Sequence, residues 1–166
     1  MDTGILALIG IGIVALIVAM NAFKFWSRRK LRETAQQRRV TEVPKMLAEF
    51  GQSIILEADP TAVTTLIEAL PKSKAKQLSP GVWGINYAAR DDILIEVRPT
   101  DGGSEVIVVS VREYLGFPQG LDMWRAFADK LVQAAHAAGV ATRRGSHGFQ
   151  RREGATALDS AVWVLS

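Results

Sequence analysis

Hydrophobic and polar positions follow different patterns along this chain, and each pattern predicts a different element. From Gly4 to Phe23 nearly every position is apolar and none carries an ionisable group. As a helix rising about 1.5 Å per residue, that run spans about 30 Å, the depth of a bilayer's hydrocarbon core. It predicts a membrane anchor over residues 1–23. A cleavable signal peptide would open on basic residues and carry a shorter apolar run, whereas Asp2 is the one charge ahead of this run.

Beyond residue 40 the apolar spacing becomes that of surface helices and half-buried strands. Thr41 is placed to cap a short helix through Phe50, with Pro44 in its first turn, Val43, Met46, Leu47 and Phe50 on one face, and Gly51 at its end. A β-prone run, Ser53 to Ala58, precedes Asp59 and Pro60, a capping residue followed by proline at the first helical position. The helix after them sets Val63, Leu66, Ile67 and Leu70 on one face until Pro71 stops it. Past a lysine-bearing loop (Lys72, Lys74, Lys76) the period drops to two. Trp83, Ile85 and Tyr87 share a face, Asp91 and Asp92 mark a turn, and Ile93, Ile95 and Val97 alternate with Leu94, Glu96 and Arg98. Pro99 to Gly103 reads as the next turn, and Glu105 to Arg112 returns with Ile107, Val109 and Val111 inward. Connections this short make the strands antiparallel. A loop from Leu115 to Gly120 leads to the longest helix of this part, Leu121 to Ala138, which buries Leu121, Trp124, Ala128, Leu131 and Ala135 and stops at Gly139. The order β-α-β-β-β-α predicts the α+β class: a single N-terminal transmembrane helix, then a small antiparallel sheet packed against a long C-terminal helix.

Charge orients the anchor. Residues 24–39 hold seven basic side chains against Glu33 alone, and basic collars stay on the cytoplasmic side. The expectation is a single-pass protein of the cell membrane, N-terminus outside and C-terminal domain cytoplasmic. Phe25 and Trp26 then lie at the inner interface beside Arg28, Arg29 and Lys30, with Phe23 just above them. Residues 24–40 are a basic juxtamembrane linker or helix, 41–140 the cytosolic α+β domain, and 141–166 a basic loop ending in a β-prone tail. Residues 40–140 are net acidic, so the pI near 9.4 reflects the collar and is no mark of a nucleic-acid-binding domain.

Within the apolar run, Gly12, Ala15, Ala19 and Ala22 recur at spacings of three and four, a small-residue stripe through which another membrane helix can approach. Composition alone also produces such stripes in Ala- and Gly-rich spans. Gly10 to Ala15 matches G-x-G-x-x-A, but no strand precedes it and its surroundings are lipid-soluble, so it is no dinucleotide site.

On Ala58-Asp59-Pro60 with Val63 and Leu66, the Gly102-Gly103 turn, and the terminal helix from Leu121, residues 53–138 resemble a shortened START-like helix-grip domain. That resemblance implies an antiparallel sheet around one long helix, with a small-molecule or lipid site between them. Such domains have more strands than the four expected here, which bears on whether a cavity closes, and another small α+β sandwich is the competing architecture.

Chemistry is sparse. There is no cysteine, and His136 and His147 are the only histidines, so neither a thiol nor a histidine-rich metal site is available, and no cofactor or metal is expected. Asp91 and Asp92 are neighbours that point apart on an extended chain. His136 sits where a helix C-terminus favours it. Ser146 and His147 would need an orienting acid and an oxyanion hole to act as nucleophile and base. Arg143, Arg144, Arg151 and Arg152 flank Phe149, a basic and aromatic pattern too small to imply nucleic acid. Trp163 and Val164, in the strongly β-prone tail, are expected to meet a sheet edge in cis or on a partner. The expected function is a non-enzymatic, membrane-anchored interaction module, an accessory subunit working with other membrane proteins in a bacterial assembly. The alternative is a START-like domain binding a lipid or small apolar ligand at the inner leaflet.

Overall fold

The computed structural model describes residues 39–71, 74–89, 91–154 and 161–166. The expected anchor, with Gly12, Ala15, Ala19 and Ala22, and the expected interface residues Phe25, Trp26, Arg28, Arg29 and Lys30 lie outside the described residues. Among the described residues, no helix is long and apolar enough to cross a membrane. Residues Glu42–Ser166 form one compact unit of α+β class.

Its elements are α1 (residues 39–50), β1 (Gln52–Leu56), α2 (Pro60–Glu68), β2 (Ala75–Ser79), β3 (Val82–Ile85), β4 (Ile93–Thr100), β5 (Gly103–Tyr114), β6 (Phe117–Pro118), α3 (Leu121–Ala137), β7 (Thr142–Ser146), β8 (Phe149–Arg152) and β9 (Val162–Leu165). The sheet is entirely antiparallel and larger than expected. Its rows run β2, β3, β4 and β5; β1 and β9 then lie end to end along the far edge of β5, and β7 and β8 lie outside them. Two backbone bonds close the joint between these end-to-end pairs: His147 N to Gly51 O at 2.9 Å, and Ser166 N to Gly148 O at 3.0 Å.

Helices cover one face. Phe50 of α1, Val63 and Ile67 of α2, and Trp124, Phe127, Leu131 and Ala135 of α3 meet Ile54, Leu56, Trp83, Ile85, Ile93, Ile95, Val106, Val108 and Val111 from the sheet in one apolar core. Asp59 caps α2 as its sequence position predicts, its carboxylate accepting from Thr61 N at 2.9 Å and Ala62 N at 3.0 Å.

Several expectations are corrected. Thr41 is not the cap of α1, because the helix already covers residues 39 and 40; Pro44 is tolerated inside it because the carbonyl deprived of a partner belongs to Val40, which is 73% exposed. The lysine-bearing loop ends at Lys74, and Ala75–Ser79 instead pairs with β3 as an edge strand. Its side chains are mostly exposed, so it lacks the alternation by which strands are recognised. Tyr87 does not join Trp83 and Ile85, since β3 ends at Ile85 and Tyr87 is exposed in the following loop. β4 continues through Thr100, so the turn shrinks to Asp101 and Gly102.

The inward set of β5 is also different. Val106 and Val108 face the core, and a bulge at Val109, opposite Leu94 and Ile95, restores Val111 to that side. Ile107 is buried outside the helix-covered cluster, and Val109 is half-buried. The tail, whose pairing was open between cis and a partner, is held in cis: β9 pairs with β5 and β8.

Candidate functional site

The face of the sheet opposite the helices carries a polar cluster around Glu105. Because Ile54 and Leu56 point into the core, their neighbours Ser53 and Ile55 point to the other side, and register places Glu105 and Gly145 beside them. Ser53 Oγ donates to Glu105 Oε1, and His147 Nε2 lies 2.7 Å from the same oxygen. Burial opposes ionisation of Glu105, but the bonds from Ser53 and His147 outweigh it and hold the carboxyl below the usual glutamate range. A hydrolytic triad needs imidazole between hydroxyl and acid. Here the carboxylate stands between them, so the hydroxyl is spent on Glu105 and not on a base. The cluster is a clasp fastening the β7–β8 corner to β5.

Ser146 and His147, neighbours in sequence, do not form a pair of their own: Ser146 is opposite Gln52 on the outer row, while His147 turns to Glu105. Sequence reading missed Ser53 and Glu105. Each is the polar position of an alternating strand, a usable signal, but their meeting depends on register between distant strands. Gly145 leaves the room: a Cβ there would overlap Ser53 Oγ and come within 3.0 Å of Glu105 Oε1. Gly145→Ala is expected to cost about 1–3 kcal/mol in urea unfolding, as overpacking does. Adding Ser53→Ala should recover part of that loss, because it removes the overlapping hydroxyl.

Nearer the C-terminus, Trp163 packs against the core and its indole N–H donates to Glu113 Oε2 at 3.1 Å. Arg151 grips the same carboxylate, Nε to Oε2 at 2.7 Å and Nη2 to Oε1 at 3.0 Å. Val164 is half-buried opposite Ser110 and Gln150. Phe149 is partly buried and packs against the core, which removes part of its ring from use as a stacking platform. His136 Nε2 lies 3.1 Å from Thr142 Oγ1, linking the end of α3 to β7. Among the described residues, no group of His, Asp and Glu side chains could hold a metal ion.

Asp91 and Asp92 do lie in a turn, and they divide the work there. Asp91 pairs with Arg112 Nη2 at 2.5 Å on the surface, while Asp92 is fully buried beneath it.

Among the described residues, one cleft of about 270 Å³ lies between the β2–β3 hairpin and the first half of α3, and another of the same volume lies between the start of α2 and the β2–β3 turn. Ala75, Ile85, Met123, Ala126 and Phe127 make the walls of the first apolar, and Lys74, Lys130 and Asp122 stand around them. Asp122 shares Arg125 with Glu49, at 2.9 Å from Arg125 Nη1, and Lys130 donates to Pro71 O at 3.2 Å, so the rim carries charges of both signs with two lysines to one aspartate. An apolar floor with a rim of net positive charge suits a small amphipathic anion. No protein-family model, curated protein or solved structure matches this chain.

Proposed function

We propose that the chain acts by binding and not by catalysis, as a single-pass membrane protein whose C-terminal domain faces the cytoplasm. The observation that supports binding best is the cleft beside α3, the long helix packed on the antiparallel sheet, and a START-like ligand domain is the reading we attach to it. Its volume of about 270 Å³ lies just under the range of drug-sized pockets, which favours a short acyl chain or small ring bearing an anionic group over a whole diacyl lipid.

A second reading, an interaction module of a membrane assembly, is favoured by the outer row of the sheet. Arg143, Arg144 and Arg152 are exposed there, on strands with no further strand paired beyond them among the described residues.

One preparation tests both. The full chain and its Ala126→Trp variant, which fills the cleft from an exposed position on α3, are purified in detergent and the co-purifying lipids, small molecules and proteins identified by mass spectrometry. An amphipathic anion present with the wild type and several-fold depleted in the variant is expected. Equal amounts in both, or none, would sink the cleft reading, and a protein retained equally by both would support the interaction module.

A further inference from the structure

The β5–β6 hairpin ends in a two-residue turn, Leu115 and Gly116, with positive φ at both, 54° and 84°. That geometry belongs to the tight hairpin turn in which Asn, Asp or Gly normally stands, because a Cβ is strained there. Leucine is a costly choice for a turn that only faces water, and this leucine is 92% exposed. Tyr87, in the neighbouring loop, is 52% exposed, with its ring centred 6.5 Å from that of Tyr114. Tyr114 is anchored from beneath by its hydroxyl, which donates to the buried Asp92 at 2.8 Å. Leu115 directly follows Tyr114 in the chain, so an exposed aliphatic side chain and an exposed ring both lie near this end of β5. Asp101, on the turn that starts β5, is at the opposite end of the strand.

We infer that Leu115 and Tyr87 form a membrane-contacting tip, with Leu115 entering the acyl boundary and Tyr87 at headgroup level. The inference rests on the membrane-anchored reading above. Tyrosine favours the interfacial layer, where its ring and hydroxyl are both satisfied, and an exposed aliphatic side chain gains by leaving water for the layer beneath. Proximity points to lipid as the occupant. The apolar run ends at Phe23 and the compact unit starts at Glu42, so the intervening chain reaches at most about 65 Å even fully extended. With the run in a bilayer, the tether holds lipid within reach of the domain at high effective concentration.

The chain contains no cysteine, so single substitutions carry a unique label. Leu115→Cys, Tyr87→Cys, Asp101→Cys and Leu16→Cys, each with an environment-sensitive fluorophore, are prepared in the full chain. They are reconstituted into phosphatidylethanolamine–phosphatidylglycerol vesicles containing nitroxide-bearing lipids. Quenching at Leu115→Cys and Tyr87→Cys several-fold above that at Asp101→Cys is expected. Leu16→Cys reports the anchor independently. If it is quenched while Leu115→Cys behaves like Asp101→Cys, the tip proposal falls and the anchor stands; if Leu16→Cys is also unquenched, the anchored reading falls with it.

Leu115→Asn in the Tyr87→Cys background removes the apolar tip and suits the turn, so thermal stability should not drop while quenching at the tyrosine position does. Undiminished quenching there would overturn the role of Leu115. Shielding of the Leu115→Cys label by a protein in native membranes, but not in lipid vesicles, would replace lipid by a protein partner.

Discussion

Replacing Asp92 by alanine is expected to destabilise residues 42–166 by about 3–5 kcal/mol, a large share of their stability. The Asp92 side chain is fully buried, and one carboxylate oxygen accepts from three consecutive backbone amides, Tyr87 at 3.2 Å and Ala88 and Ala89 at 2.5 Å each. The other oxygen takes the Tyr114 hydroxyl at 2.8 Å and lies 3.4 Å from Arg112 Nε. Alanine would strand these donors and a partly buried guanidinium, and losing one member of a buried ionic group costs about 3–5 kcal/mol. A domain of this size has about 5–15 kcal/mol in total. Asp92→Asn keeps an acceptor for the amides, so it should cost less, about 1.5–3 kcal/mol, the worth of a hydrogen bond to a charged group.

The same site makes the domain acid-sensitive. Burial alone would raise the pKa of Asp92, but the amides of Ala89 and Ala88, the Tyr114 hydroxyl and the Tyr87 amide together bring it below the ordinary aspartate value. A carboxyl with a depressed folded-state pKa contributes fully above the unfolded value, about 4, and loses that contribution as pH falls through the folded value. Glu105 acts in the same direction. Urea midpoints should therefore be flat near neutrality and decline below about pH 4, with a shallower decline in Asp92→Asn. Equal decline in the two proteins, or an Asp92→Ala variant as stable as wild type, would contradict this account.

Trp124→Ala should cost about 3–5 kcal/mol, the range for deleting a large buried aromatic. Trp124 is 2% exposed and stacks on Phe127 with centroids 5.9 Å apart. Its indole N–H donates to Glu49 O at 3.3 Å, and the neighbouring Arg125 Nε donates to Glu49 Oε2 at 2.7 Å. The tryptophan thus fills the core under α3 and also ties that helix to the last turn of α1. Trp124→Phe keeps most of the apolar volume and loses the tie, so it should fall between wild type and alanine. Urea unfolding of the three proteins measures this, and an alanine variant within about 1 kcal/mol of wild type, far below that range, would show that the ring is not part of the core.

Elements governed by local rules were legible in the sequence. Asp59-Pro60 announced α2 because a capping carboxylate and a proline lacking an N–H both suit a first turn, and the structure forms both. Trp124, Ala128, Leu131 and Ala135 fell on one face because their spacing matches the helical period, and Ile93, Ile95 and Val97 because a strand alternates. Gly139 adopts φ 73° just past α3, as a residue ending that helix should.

What escaped the sequence depends on pairing at a distance. β2 and β7 are mostly exposed edge strands, formed because β3 and β1 offer them hydrogen bonds, not because their own residues alternate. The inward set of β5 turned on a bulge that inserts Val109 opposite Leu94 and Ile95, a shift that no count along β5 alone contains. Asp91 and Asp92 looked alike as turn residues until folding put one on the surface and the other under Tyr114.

By itself, the sequence determined the apolar run from Gly4 to Phe23, the basic collar after it, and which local segments carry helical or strand periodicity. Those follow from spacing and side-chain chemistry within a few turns of chain. Only the tertiary structure decided that Ser53, Glu105 and His147 share one carboxylate oxygen, that Trp163 spends its indole N–H on Glu113, and that Leu115 and Tyr87 are left exposed. In strands, a one-residue shift in pairing exchanges the two faces, so these groups meet only once the register of the whole sheet is set.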